Sequence, residues 1–98
     1  MNLDAILRGI ISNIPSQRAF DSHYVIRELL RVDSDAYIRF VSAFAAGPTP
    51  TLTAHQQIGL AIDAFAQQNP SLLVRLPYQS HSFNIREHAS ECALWQRL

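Results

Sequence analysis

Along the first two thirds of the chain, apolar residues return at intervals of three and four, the period of a helix with one buried face. Leu3, Ile6, Leu7, Ile10, Ile11 and Ile14 make the first stripe. Asn2 is placed to cap it, Asp4 suits the positive end of its dipole, and Pro15 stops it, which predicts a helix over 3–14. FDSHYVIRELLRV predicts a second over 22–32, with Asp21 as N-cap and Phe20 and Val25 at hydrophobic-staple positions. Val25, Ile26, Leu29, Leu30 and Val32 form its expected buried side, with Arg27 and Arg31 outside. VDSDAYIRFVSAFAAG repeats the device over 34–46: Asp33 caps, and Val32 and Tyr37 take the staple positions. Tyr37, Phe40, Val41 and Phe44 share its inner face, Arg39 points away, and Gly47 and Pro48 end it. TLTAHQQIGLAIDAF opens a fourth helix over 53–68. Thr53 and Gln56 have capping-box spacing, Ala54, Ile58, Ala61, Ile62 and Phe65 form the core stripe, and Asn69 and Pro70 close it.

Beyond Pro70 the period changes. SLLVRLPY is rich in Leu and Val, and Pro77 forbids a continued helix, so this stretch reads as a strand. The tail HASECALWQRL fits two periods. Ile85, Ala89 and Cys92 fit a helix, whereas alternation of Ala93, Trp95 and Arg97 against Leu94, Gln96 and Leu98 fits a strand. We take the strand, which predicts antiparallel pairing of 72–77 with roughly 92–97 in a hairpin with a long tip. The expected fold is a small α+β domain over residues 1–98, four helices followed by a C-terminal β-hairpin. The alternative is an all-α chain with a C-terminal helix.

This order of elements resembles a winged helix-turn-helix domain. The resemblance implies that helices 34–46 and 53–68 form the helix-turn-helix pair and that 72–97 form the wing. The GPTPTL loop between those helices is longer than the turn of the simplest versions. The chain is also similar to small bacterial proteins that carry F-D-S-H, H-x-Q-I and A-L-W, here Phe20–His23, His55–Ile58 and Ala93–Trp95. That likeness rests on these short motifs and implies a winged-helix-like fold without any particular activity.

Composition narrows the picture. With 98 residues, 48% of them hydrophobic, the chain can bury a core without metal or disulfide staples. Its formal charge is zero, so it has no global attraction for nucleic acid or anionic membrane. Every basic residue is Arg. Cys92 is the sole cysteine, which rules out an internal disulfide and fits a reducing compartment. MNLDAILRGIISNI lacks a basic leader region, and Asp4 and Arg8 interrupt it, so neither a signal peptide nor a membrane span is expected. A cytoplasmic protein with no membrane partner follows as the expectation.

Candidate chemistry is sparse. Gln56 or Gln57 could meet an adenine edge, but phosphate contacts need Lys or Arg, and none occurs between Phe40 and Val74. Asp63 is expected on the outer face as a repulsive charge. DNA binding would need Arg39, Arg75, Arg86 and Arg97 to gather beside the start of helix 53–68. His88 and Cys92 could share a face of a helical tail, with His81 nearby. A structural zinc site wants four ligands, however, and His23 or His55 would have to come from elsewhere. No metal site is expected. No signature surrounds Cys92 as a nucleophile, and Gly9, Gly47 and Gly59 are too scattered for a phosphate loop. Asp33 and Asp35 are explained as cap and dipole partners.

We therefore expect a non-enzymatic recognition module without a cofactor. Its leading function is protein–protein contact or self-association as a homodimer, and the alternative is sequence-specific binding of duplex DNA. The candidate contact residues are Arg39, Thr53, Gln56, Gln57, Leu60, Arg75, Tyr78 and Arg86. Tyr78 and Phe83 flank QSHS, where exposed aromatics would suit a partner. Gly59, inside a helix, is expected to allow close approach of another backbone, either the first helix or a second copy.

Overall fold

In the computed structural model, residues 3–98 are described, so the Asn2 cap lies outside them. The elements are α1 (Leu3–Ser12), β1 (Ala19–Asp21), α2 (Ser22–Val32), α3 (Ser34–Ser42), α4 (Pro50–Gln68), β2 (Leu73–Arg75), β3 (Ser80–Phe83), β4 (Ala89–Cys92) and β5 (Leu94–Arg97). The fold is α+β, four helices before a C-terminal set of antiparallel strands, and the all-α alternative is overturned.

β5 is the central strand of a three-stranded sheet ordered β1-β5-β2, antiparallel to both neighbours. Its pairing with β2, Leu73 with Arg97 through Arg75 with Trp95, is the expected pairing of 72–77 with 92–97. The long tip is more than a loop. β3 and β4 form a second two-stranded sheet, turning over residues 84–88. Asn84 shapes that turn, its Oδ1 accepting from the backbone N–H of Arg86 at 2.9 Å and of His88 at 3.1 Å. β1 was not expected. Its three residues follow a turn in which Gln17 takes a left-handed φ of 70° and donates its N–H to the Arg97 carbonyl.

The helix starts follow capping chemistry. Asp21 caps α2 by accepting from Tyr24 N–H at 2.8 Å, and Asp33 caps α3 by accepting from Ala36 N–H at 3.0 Å. α4 starts three residues earlier than expected. Thr49 is its N-cap residue, with no side-chain cap bond, and Pro50 opens the first turn. Proline needs no partner for an N–H and presets the helical φ. Thr53 therefore lies inside the helix, its N–H bonded to the Thr49 carbonyl, and the Thr53–Gln56 capping box does not form. α1 ends at Ser12 and α3 at Ser42, short of positions 14 and 46, because each runs out in i→i−3 turns. Val32 is 58% exposed, so it belongs neither to the buried side of α2 nor to a buried staple with Tyr37.

The core joins the helices to the sheet. Leu7, Ile11, Val25, Leu29, Ile58, Ile62, Leu73 and Trp95 are fully buried. Trp95 stacks on Phe20 with ring centroids 5.9 Å apart, across the β1–β5 pair. A buried aliphatic side chain contributes about 1.5–3 kcal/mol. This one cluster draws on α1, β1, α2, α3, α4, β2 and β5.

At Gly59 the expected approach of the first helix is corrected. Among the described residues, a Cβ placed there would meet nothing within 4 Å outside its own helix, so the first helix does not approach it. Gly59→Ala is expected to raise stability by up to about 1 kcal/mol through helix propensity and a less free unfolded chain. Urea unfolding measures it, and a destabilised variant would point to a neighbour from a second copy.

Candidate functional site

The eight candidate contact residues do not form one charged face. Gln56, Gln57 and Leu60 are exposed on α4, and Thr53 is half-buried. Arg39 is exposed on α3, Tyr78 on the link between β2 and β3, and Arg86 in the β3–β4 turn. Arg75 is exposed but held by a partner. Its Nη1 lies 2.9 and 2.7 Å from the two carboxylate oxygens of Asp63, and its guanidinium stands 5.6 Å from the Trp95 ring centroid. Asp63 also accepts from Trp95 Nε1 at 3.0 Å. Asp63 is thus no bare charge on the outer face but the tie between α4 and the sheet. Arg97 is occupied as well, donating to the carbonyls of Leu98 at 2.7 Å and Leu72 at 3.4 Å. Of the four arginines a DNA-binding face would need, two are committed internally.

A different set of residues does converge. In the β3–β4 hairpin, Ser80 pairs with Cys92 and Ser82 with Ser90, so these four side chains share one face, and it is the less exposed face. That face meets Asp21, at the end of β1, and His23, in the first turn of α2, only 8% and 7% exposed. Asp21 Oδ2 accepts from Ser80 Oγ at 2.7 Å and Ser82 Oγ at 2.8 Å, while Oδ1 holds the Tyr24 cap. His23 Nδ1 lies 2.8 Å from Ser82 Oγ, and its Nε2 lies 3.2 Å from Ser90 Oγ. Ser82 has a single proton, which goes to Asp21, so its oxygen accepts from His23 Nδ1–H. That fixes the tautomer of neutral His23 and leaves Nε2 to accept from Ser90. Arg27 adds a bond from its guanidinium to the Phe83 carbonyl at 2.7 Å.

Asp21, Ser82, His23 and Ser90 are the residue types of a nucleophile–base relay. Here, however, a hydroxyl stands between carboxylate and imidazole, and the bonds join a hairpin to a helix. The arrangement acts as a polar clasp. A two-stranded hairpin is marginal alone, and this one is held by a buried carboxylate as well as by Ile85 of its turn, which packs against the core.

Burial sets the electrostatics. Burial raises the Asp21 pKa, but bonds from Ser80, Tyr24 N–H and Ser82, with the field of His23, outweigh it and bring the carboxyl below its usual value. Burial lowers the His23 pKa, opposed by Asp21 and aided by Arg27. His55, whose Nε2 lies 2.9 Å from Tyr37 Oη, is lowered by burial and by His23.

The sequence paired Cys92 with His88 and offered His23 only as a ligand that would have to come from elsewhere, without Asp21 or the serines. The His88–Cys92 pair needed a helical tail, whereas Cys92 lies on β4 and His88 in an exposed turn. The available signal was alternation: Ser80 and Ser82, then Ser90 and Cys92, a strand-period run of small polar residues. Comparison with known proteins finds no matching family model, curated protein or solved structure. No helix among the described residues is long and apolar enough to cross a membrane.

Two outcomes follow. Asp21→Ala removes a helix cap and leaves Ser80 and Ser82 without their acceptor, so stability is expected to fall by about 2–4 kcal/mol in urea unfolding. Loss of less than a cap's worth, about 1 kcal/mol, would show that the clasp contributes nothing. Acid destabilisation is expected in two stages. His23 and His55 resist protonation when folded, so the unfolded chain binds more protons below pH about 6.5, and stability falls as pH drops from about 7 to 5. Asp21 stabilises the fold above its unfolded value, and that contribution is lost below pH about 4 as its folded carboxyl protonates. The midpoint of thermal unfolding reads both stages, and His23→Gln with His55→Gln flattens the first.

Proposed function

We propose that the chain is a non-enzymatic recognition module that contacts protein, a second copy of itself included, through the outer face of α4. The observation that carries this reading is the character of that face. Leu52 and Leu60 are 56% and 59% exposed on it, with Gln56 between them at helical spacing. α4 carries no Lys or Arg, and the nearby Arg75 is held by Asp63. α3, packed beside α4, adds Ile38 at 56% exposure. Neutral, apolar and amide side chains suit a protein surface, whereas duplex DNA draws most of its affinity from phosphate contacts with basic residues. Nothing in this role calls for a cofactor.

A second reading has one observation in its favour. The α3–α4 pair, the β1-β5-β2 strand order and the projecting β3–β4 hairpin together resemble a winged helix, and Arg86 is exposed at the hairpin turn. On that reading Gln56 and Gln57 would meet base edges and Arg86 a phosphate.

Light scattering over a concentration series separates the two. We expect a mass above the 11.0 kDa of one chain that rises with concentration and returns to one chain in Leu60→Glu. Titration with duplex DNA at about 150 mM salt is expected to show weak binding or none. A protein that stays single at every concentration, and binds DNA with a steep salt dependence lost in Arg86→Ala, would overturn the first reading in favour of the second.

A further inference from the structure

We propose that Asp21, His23 and Cys92 form a binding site for one thiophilic divalent cation, zinc being the fitting choice. One ligand atom from each residue lies within 4.8 Å of the other two. The three come from the end of β1, the first turn of α2 and β4, so the fold alone assembles them. Thiolate, imidazole and carboxylate are the donor types zinc takes, and three protein ligands leave a fourth position for water. A tetrahedral zinc at ~2.0–2.3 Å from its ligands keeps them ~3.3–3.8 Å apart. From the 4.8 Å limit that spacing asks for a contraction of at most about 1–1.5 Å, and Cys92 is the half-buried member of the three.

Charge argues the same way. Asp21 is buried, and among the described residues no arginine forms an ion pair with it. A divalent cation that displaces the thiol proton leaves one carboxylate, one thiolate and two positive charges, a neutral set in a buried place. Arg27 acts electrostatically on His23, but its exposed guanidinium is bonded to the Phe83 carbonyl. The outer partners are present too. Ser80, Ser82 and the Tyr24 N–H orient the carboxylate, and Ser82 accepts the His23 Nδ1–H, the contact a ligating imidazole commonly keeps on its other nitrogen, while Nε2 exchanges Ser90 for the ion. A bound ion would join β4 directly to β1 and α2 and tighten the clasp.

The test uses the full chain, stripped with chelator and titrated with cobalt(II), whose charge-transfer band in the near ultraviolet reports thiolate ligation. The expected result is saturation at a single equivalent, displacement by zinc, and a higher unfolding temperature with zinc bound. Cys92→Ser is the decisive variant, because a hydroxyl of similar size keeps the serine-lined face of the hairpin, and it is expected to lose the band and the affinity. His81→Gln with His88→Gln, both exposed outside the cluster, is expected to keep them. Absence of the band, binding unchanged in Cys92→Ser, or binding lost in the His81/His88 variant would each overturn the site. None of these outcomes depends on whether α4 contacts protein.

Discussion

A buried carboxylate that forms no ion pair with an arginine among the described residues must be surrounded by donors, and Asp21 imposes that requirement on three parts of the molecule at once. Its Oδ1 starts α2 by accepting the Tyr24 N–H. Its Oδ2 takes two hydroxyl protons from β3. Its backbone ends β1, where residue 21 pairs with Leu94 of β5. The polar lining of the hairpin follows from this. Replacing Ser80 or Ser82 with an apolar residue would leave a desolvated carboxylate short of a partner, which costs more than an ordinary lost hydrogen bond. His23 is then drawn in through Ser82, and its tautomer is set by where the serine proton goes.

Trp95 provides the second fixed point, of the opposite character. It lies on the central strand with no exposure, stacks on Phe20 of β1 and pairs in register with Arg75 of β2. Its one polar atom reaches Asp63 of α4, whose other obligation is Arg75. A buried indole needs such a partner, and Asp63 supplies it while staying partly open to solvent. The half-exposed Arg75–Asp63 pair is worth little as a salt bridge alone. Its larger effect is positional, since it keeps the Asp63 carboxylate at the indole N–H of Trp95.

These two centres explain what could be read from the sequence. The helical stripes were legible because each helix buries one apolar face, and the caps at Asp21 and Asp33 were legible because capping is local chemistry. The pairing of β2 with β5 was legible from the alternation around Trp95. β1 was not, since three residues joined directly to a helix leave no period. The start of α4 was misplaced because Thr53 has the better capping side chain, while Pro50 won by needing no partner. The clasp was hidden for a different reason. Its members are small and polar, the types that usually face solvent, and Asp21 and Ser80 are 59 positions apart. Asp63 misled in the same manner, because its helical direction points outward and only the sheet edge beside it gives it partners.

The separation of the two centres has a mechanical consequence. α4 is fastened to the sheet through Asp63, Trp95 and Arg75, and none of these touches the clasp through a hydrogen bond. The hairpin is fastened to α2 through Asp21, His23 and Arg27, and none of those reaches α4 in that way. β5 is the element common to both, since it follows β4 after a single residue, Ala93, whose carbonyl accepts from Ser22 N–H at 3.2 Å. The clasp therefore bears on the hairpin most directly, while the apolar cluster around Trp95 holds β5 and α4. The polar centre holds the hairpin and the apolar centre holds α4, so protonation of His23 lowers the stability of the fold through the hairpin's attachment to α2.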